Sequence, residues 1–198
     1  MKKKIFRWEI LGIFVTIILG FIFHFAYSWF DKCKFSAVLF AVNESVWEHC
    51  KIAFWPALFF SIIEYFFIRK CSKNYIVAKA FMLLTIPSMI LILFYTYTGI
   101  IGYNINIVDI SIFFIAIISS YFISYMLLIS MPKPMCIKKI SIGVLMILIV
   151  AFSTFTYYPC YLPLFLDPET GTYGIPVDDD LHDNSVCILN HYRYKYFM

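Results

Sequence analysis

Nine consecutive residues, Asn43-Glu44-Ser45-Val46-Trp47-Glu48-His49-Cys50-Lys51, carry the densest potential chemistry in this sequence. On a helix, Glu44 and Glu48 share one face, and Ser45 and His49 share the adjacent one, because residues four apart lie one above the other. Carboxylate oxygens and an imidazole nitrogen together suit zinc or a similar divalent cation. The same groups suit a general base with an orienting partner. His24 and Asp109, distant in sequence, are expected near the same level. The metal set read here is His24, Glu44, Glu48 and His49. The wider catalytic set adds Asp109 and Glu64.

A structural reading competes with this one. Ser45-Val46-Trp47-Glu48 fits a capping box, with Ser45 capping a helix start and Glu48 reaching back. Trp47 then anchors at a membrane interface, and Glu48 with Lys51 makes an ordinary surface pair. The spacing does not match a metal motif such as His-Glu-x-x-His. No phosphate-binding glycine loop or nucleophile elbow is present.

The elements that must position these residues are five apolar runs: Trp8–Trp29, Ile52–Ile68, Val77–Thr98, Ile107–Leu128 and Ile140–Tyr158. A bilayer core about 30 Å thick needs about 20 mostly apolar residues in a helix. Of 198 residues, 62% are hydrophobic and 14% charged, too little charge for a soluble domain of this size. The fold class expected is all-α, an integral membrane bundle of five transmembrane helices. Neither a block of like charge nor a basic-aromatic ladder points to nucleic acid.

The basic residues sort to alternate ends. Lys2, Lys3, Lys4 and Arg7 precede the first run; Arg69, Lys70 and Lys73 fall between the second and third, and Lys79, at the very start of the third, is counted with that loop; Lys133, Lys138 and Lys139 fall between the fourth and fifth. That places eleven of the sixteen on one side, and by the positive-inside rule predicts the N-terminus in and the C-terminus out. The bulky Phe25, Tyr27 and Trp29 argue against cleavage of the first run as a signal peptide. The expected organisation is a five-span domain over 1–175 and an acidic extracytoplasmic tail over 176–198. The six cysteines form no Cys-x-x-Cys pair and read mostly as apolar filler.

Small residues mark the faces that pack. Glu9, Gly12, Thr16, Gly20, His24 and Ser28 form one stripe on the first span. Ala57, Ser61 and Glu64 form one on the second, and Asp109, Phe113, Ala116, Ser120 and Ser124 one on the fourth. Glu64 therefore faces protein and needs a partner, a proton or a role, with Arg69 and Lys70 within snorkelling reach. Pro56 is expected to kink the second span.

His24-x-x-Tyr27-x-Trp29 followed by Val42-Asn43-Glu44-Ser45-Val46-Trp47-Glu48-His49 and Lys51 resembles the hallmark of an uncharacterised family of bacterial multi-pass membrane proteins. Glu64, Tyr95-Thr96-Tyr97-Thr98-Gly99, Asp109, Pro163-Leu164-Phe165 and Asp167-Pro168-x-Thr170-Gly171-Thr172-Tyr173-Gly174 resemble its other motifs. The resemblance extends to about Ile175 and implies a protein of the bacterial cell membrane, with no assigned activity.

Three function classes remain open. One is a membrane-embedded hydrolase that depends on a divalent metal and acts on a small-molecule or lipid substrate. The second is a proton-coupled transporter in which Glu64 links the outer cluster to the inner side. The third is a non-catalytic assembly or sensor subunit. Five spans lack the paired repeats of secondary carriers, so a transporter would need a homo-oligomer.

Overall fold

Backbone amides cannot be left unpaired in hydrocarbon, so each apolar run closes its hydrogen bonds within a helix. The computed structural model describes residues 1–30 and 35–175. It contains α1 (Lys2–Trp29), α2 (Val46–Ile68), α3 (Tyr75–Ile101), α4 (Asn106–Leu128) and α5 (Met135–Thr154), all long and apolar enough to cross a bilayer. Among the described residues the only other regular pieces are two 3-10 turns, Ser36–Val38 and Pro163–Phe165, and one antiparallel bridge between Leu166 and Tyr173. The acidic segment 176–198 lies outside the described residues.

Helices α1 to α4 form a closed ring: α1 packs on α2 and α4, and α3 completes it against the same two. α5 docks on the outer side of α3 and is the most exposed of the five. The surface they present is apolar: Phe14, Phe66, Ile92, Phe122 and Ile147 are all more than half exposed. That is the surface a lipid solvent requires, and a water-facing bundle would hide it. The multi-pass membrane character follows from this surface together with helix length.

The small-residue stripes do pack inward. Glu9, Gly12, Thr16 and Gly20 are buried on α1, as are Ala116, Ser120 and Ser124 on α4. A Cβ at Gly12 would come within 2.4 Å of the Tyr121 ring and 2.7 Å of the Phe60 ring. The α1 stripe ends before Ser28, which is exposed and returns its hydroxyl to Phe25 O. α2 runs unbroken through Pro56, which costs it the amide that would have served the Ile52 carbonyl. That carbonyl faces Gly20, where an added Cβ would sit 3.2 Å from it. The bare α1 backbone is what lets the two helices meet there.

The helices are longer than the apolar runs and absorb residues assigned above to loops. α3 begins at Tyr75, so Lys79 lies inside the helix and is buried. Its place on the buried face of α3, with Tyr75, Met82, Leu83 and Ile86, corrects the reading of Lys79 as a loop cation. α2 starts at Val46, so Asn43, Glu44 and Ser45 precede it and form an elbow. Glu44 and Glu48 therefore do not share a helix face.

Candidate metal centre

The elbow before α2 is held from four directions. Ala41 N–H donates to Phe23 O of α1 at 3.2 Å, beside His24. Val42 N–H donates to Glu48 Oε2 at 3.1 Å. Asn43 Nδ2 donates to Gly174 O at 2.8 Å, and its Oδ1 accepts from Ser45 N–H at 3.0 Å. Ser45 Oγ then caps α2 by accepting from Glu48 N–H. One half of the capping box thus forms. The other half does not, because Asn43 takes the Ser45 amide and Glu48 turns elsewhere.

Glu48 belongs to a separate buried assembly. It pairs with Lys51 and accepts from Thr156 Oγ1 at 2.9 Å. Lys51 Nζ also donates to Ala37 O at 2.7 Å and to Thr156 Oγ1 at 3.0 Å. Side-chain exposure is 0% for Lys51 and 2% for Glu48, which corrects the expectation of a surface pair. The pair ties the 3-10 turn, the start of α2 and the segment after α5 together. Trp47 stacks beside it on Phe152 and also packs on Phe165, so it is partly buried rather than a simple interface anchor.

With that scaffold in place, Glu44 sits between two histidines. Glu44 Oε1 is 3.7 Å from His24 Nε2, and Glu44 Oε2 is 3.5 Å from His49 Nε2. The imidazole centroids are 5.3 Å apart. One ligand atom from each residue falls within 4.8 Å of the others, the one such His/Cys/Asp/Glu group among the described residues. The separations are long for direct hydrogen bonds. Each is close to the roughly 3.4 Å between two atoms that lie about 2.1 Å from one zinc ion at a tetrahedral angle, His24 facing one Glu44 oxygen and His49 the other.

The ring of His49 is set for such a role. Its Nδ1 lies 2.9 Å from Ser45 O, and a carbonyl only accepts, so Nδ1 carries the proton. Nε2 then presents its lone pair toward Glu44. A ligating histidine commonly donates its other ring nitrogen to a carbonyl in this way, which fixes tautomer and orientation. His24 contributes from α1 with its side chain 22% exposed, while Glu44 is 41% exposed and leaves the cluster open on that side.

The remaining sequence candidates lie elsewhere. Glu48 does not join the His24–Glu44–His49 group, because its oxygens serve Lys51, Thr156 and Val42. Asp109 bonds the Tyr97 hydroxyl and accepts from Asn104 Nδ2 at 3.4 Å, bracing the α3–α4 turn rather than entering the cluster. Glu64 lies on the buried stripe as expected, but its cation is Lys79 at 2.5 Å rather than Arg69 or Lys70. Arg69 instead lies over the Tyr65 ring. Sequence reasoning missed Lys79, Thr156 and the Asn43–Gly174 tie. Lys79 alone left a signal: it falls on one helical stripe with Tyr75 and Ile86.

The turn that receives Asn43 is self-braced. Asp167 accepts from Glu169 N–H and Thr170 Oγ1, and Gly171 and Gly174 take left-handed φ of 69° and 72°. Gly174 also packs against Thr156 and Pro159, so the motif Asp167–Gly174 acts as a plug over the loop end of the bundle.

Residues 1–175 match the family of unknown function DUF6512, and the chain belongs to that family. No curated protein and no solved structure matches it.

Proposed function

For this DUF6512 member, we propose a membrane-embedded hydrolase whose divalent metal is held by His24, Glu44 and His49. The observation that carries the reading is the three-ligand group itself, with His49 Nδ1 tied to Ser45 O and Glu44 half-open to the surface. Two histidines and one carboxylate make a ligand set that leaves a fourth position for water. A zinc-class ion held by His24, Glu44 and His49 would supply Lewis-acid chemistry there, lowering the pKa of a bound water to about 7 and polarising an ester carbonyl or phosphoryl group. Glu48 and Lys51 act as positioning residues: they hold the elbow and take no part in the reaction. Trp29, Phe30 and Phe35 are each more than half exposed beside this end, which suits a bilayer interface. A substrate reaching the site there is a lipid or other small molecule with a hydrolysable ester at the membrane surface.

The orientation adopted with this reading is the basic end in the cytoplasm and the metal centre at the outer face of the cell membrane. Lys2, Lys3, Lys4, Arg69, Lys70, Lys73 and Lys138 support it by the positive-inside rule.

Metal analysis of the full chain purified in mild detergent and incubated with zinc is the test. One equivalent of metal in the wild type, lost in His24→Ala, Glu44→Ala and His49→Ala, is expected. An empty wild type overturns the metal centre. Bound metal with no hydrolysis of phosphoester or carboxyl-ester lipids overturns the hydrolase and leaves the metal site standing.

A further inference from the structure

The basic end of the bundle holds a second buried cluster whose charges do not balance. Lys79 Nζ lies 2.7 Å from Glu9 Oε1 and 2.5 Å from Glu64 Oε2. The three side chains are at most 3% exposed. Every helix of the ring faces this point. α1 supplies Glu9 and α2 supplies Glu64. From α3 come Lys79 and Tyr75, whose hydroxyl lies 2.5 Å from Ser61 O and 3.1 Å from Glu64 Oε2. α4 supplies Ser124, which donates to Glu9 Oε1 at 3.2 Å, and the Tyr121 ring, 5.4 Å from Lys79 Nζ. The Tyr121 hydroxyl bonds Thr16.

Two carboxylates thus face one ammonium, and no second cation reaches them among the described residues. Fully ionised, the cluster would carry one net negative charge inside an apolar bundle, where an uncompensated charge is strongly disfavoured. The other oxygens, Glu9 Oε2 and Glu64 Oε1, are buried and have no hydrogen-bond partner. A single added proton brings the cluster to neutrality and turns one of the two orphan oxygens into a donor. Two carboxyl groups bridged by one lysine bind that proton as a unit rather than as separate residues.

We infer that Glu9, Lys79 and Glu64 form a proton-binding site whose pair of carboxyl groups carries one exchangeable proton. Tyr75 belongs both to the cluster and to the wall of a cavity of about 420 Å³, shared with Tyr65, Arg69, Lys70 and Lys73. The site involves no residue of the metal centre and stands independently of it.

Infrared spectroscopy of the full chain in lipid nanodiscs at neutral pH tests the inference, because a protonated carboxyl and a carboxylate absorb separately. The wild type should show a protonated-carboxyl band that shifts on exchange into D2O. Glu9→Gln and Glu64→Gln should each abolish it, since the remaining carboxylate then pairs one to one with Lys79. Lys79→Met should strengthen it, with both carboxyls protonated. A merely structural ion-pair triad gives no such band. Absence of the band from the wild type overturns the inference without recourse to any variant, and so does its persistence at full strength in both Gln variants.

Discussion

Replacing Lys51 by Met removes the cation from the assembly that holds the metal-bearing elbow. Lys51 is fully buried, and so is its partner Glu48, so neither solvent nor salt screens the loss. Removing one partner of a buried ion pair costs about 3–5 kcal/mol, because the other charge is left uncompensated. Ala37 O and Thr156 Oγ1 also lose a donor. Those losses do not simply add, because all the groups belong to one network. The expected destabilisation of Lys51→Met is therefore about 3–5 kcal/mol. Glu48 retains the Val42 amide and the Thr156 hydroxyl, so Glu48→Gln placed on top of Lys51→Met should recover a substantial part of it. Unfolding in mixed micelles of mild and denaturing detergent, followed by circular dichroism, measures Lys51→Met, Glu48→Gln and the double variant against the wild type. Zinc titration gives a second readout: the elbow loosens and zinc affinity falls in Lys51→Met, although Lys51 contacts no ligand atom. A Lys51→Met cost below about 1 kcal/mol would refute the buried-pair reasoning, because only a solvated pair is worth so little. Additive costs in the double variant would refute the coupling.

Gly12→Ala should cost about 1–3 kcal/mol, since its Cβ would meet the Tyr121 and Phe60 rings, while Gly143→Ala, with open space around it, should be neutral or slightly stabilising; the same micelle unfolding compares them. Asn43→Ala strips a donor from Gly174 O and an acceptor from Ser45 N–H, and should release the 167–174 plug to limited proteolysis while costing about 1–3 kcal/mol. Tyr97→Phe should leave metal binding unchanged, because Tyr97 and Asp109 brace the α3–α4 turn and not the cluster; a lowered zinc stoichiometry would contradict that placement. Reporter fusions after Arg69, after Gly102 and at the C-terminus should place the first inside and the other two outside, and a cytoplasmic C-terminal reporter would reverse the adopted orientation.

Much of the architecture was legible because lipid imposes simple rules. Twenty apolar residues must be helical, and small residues every fourth position must face protein, so the five spans and the Gly12–Gly20 and Ala116–Ser124 stripes could be read directly. The convergence of His24 with the Asn43–His49 segment was also legible, from the end of one helix and the start of the next expected at one level. What sequence could not settle was which polar group answers which. Glu44 and Glu48 are the same residue type four positions apart, yet one lies before the helix and opens to the surface. The other is sealed in with Lys51. That division depends on Thr156, Ala37 and Gly174, which arrive from other segments and leave no periodic trace. Lys79 was taken for a loop cation because hydropathy registers the charge and not the carboxylates that meet it. Only the closure of four helices brings Glu9 and Glu64 to its two sides. Side-chain period determines which face a residue occupies, whereas the identity of its partner across the bundle is a property of packing.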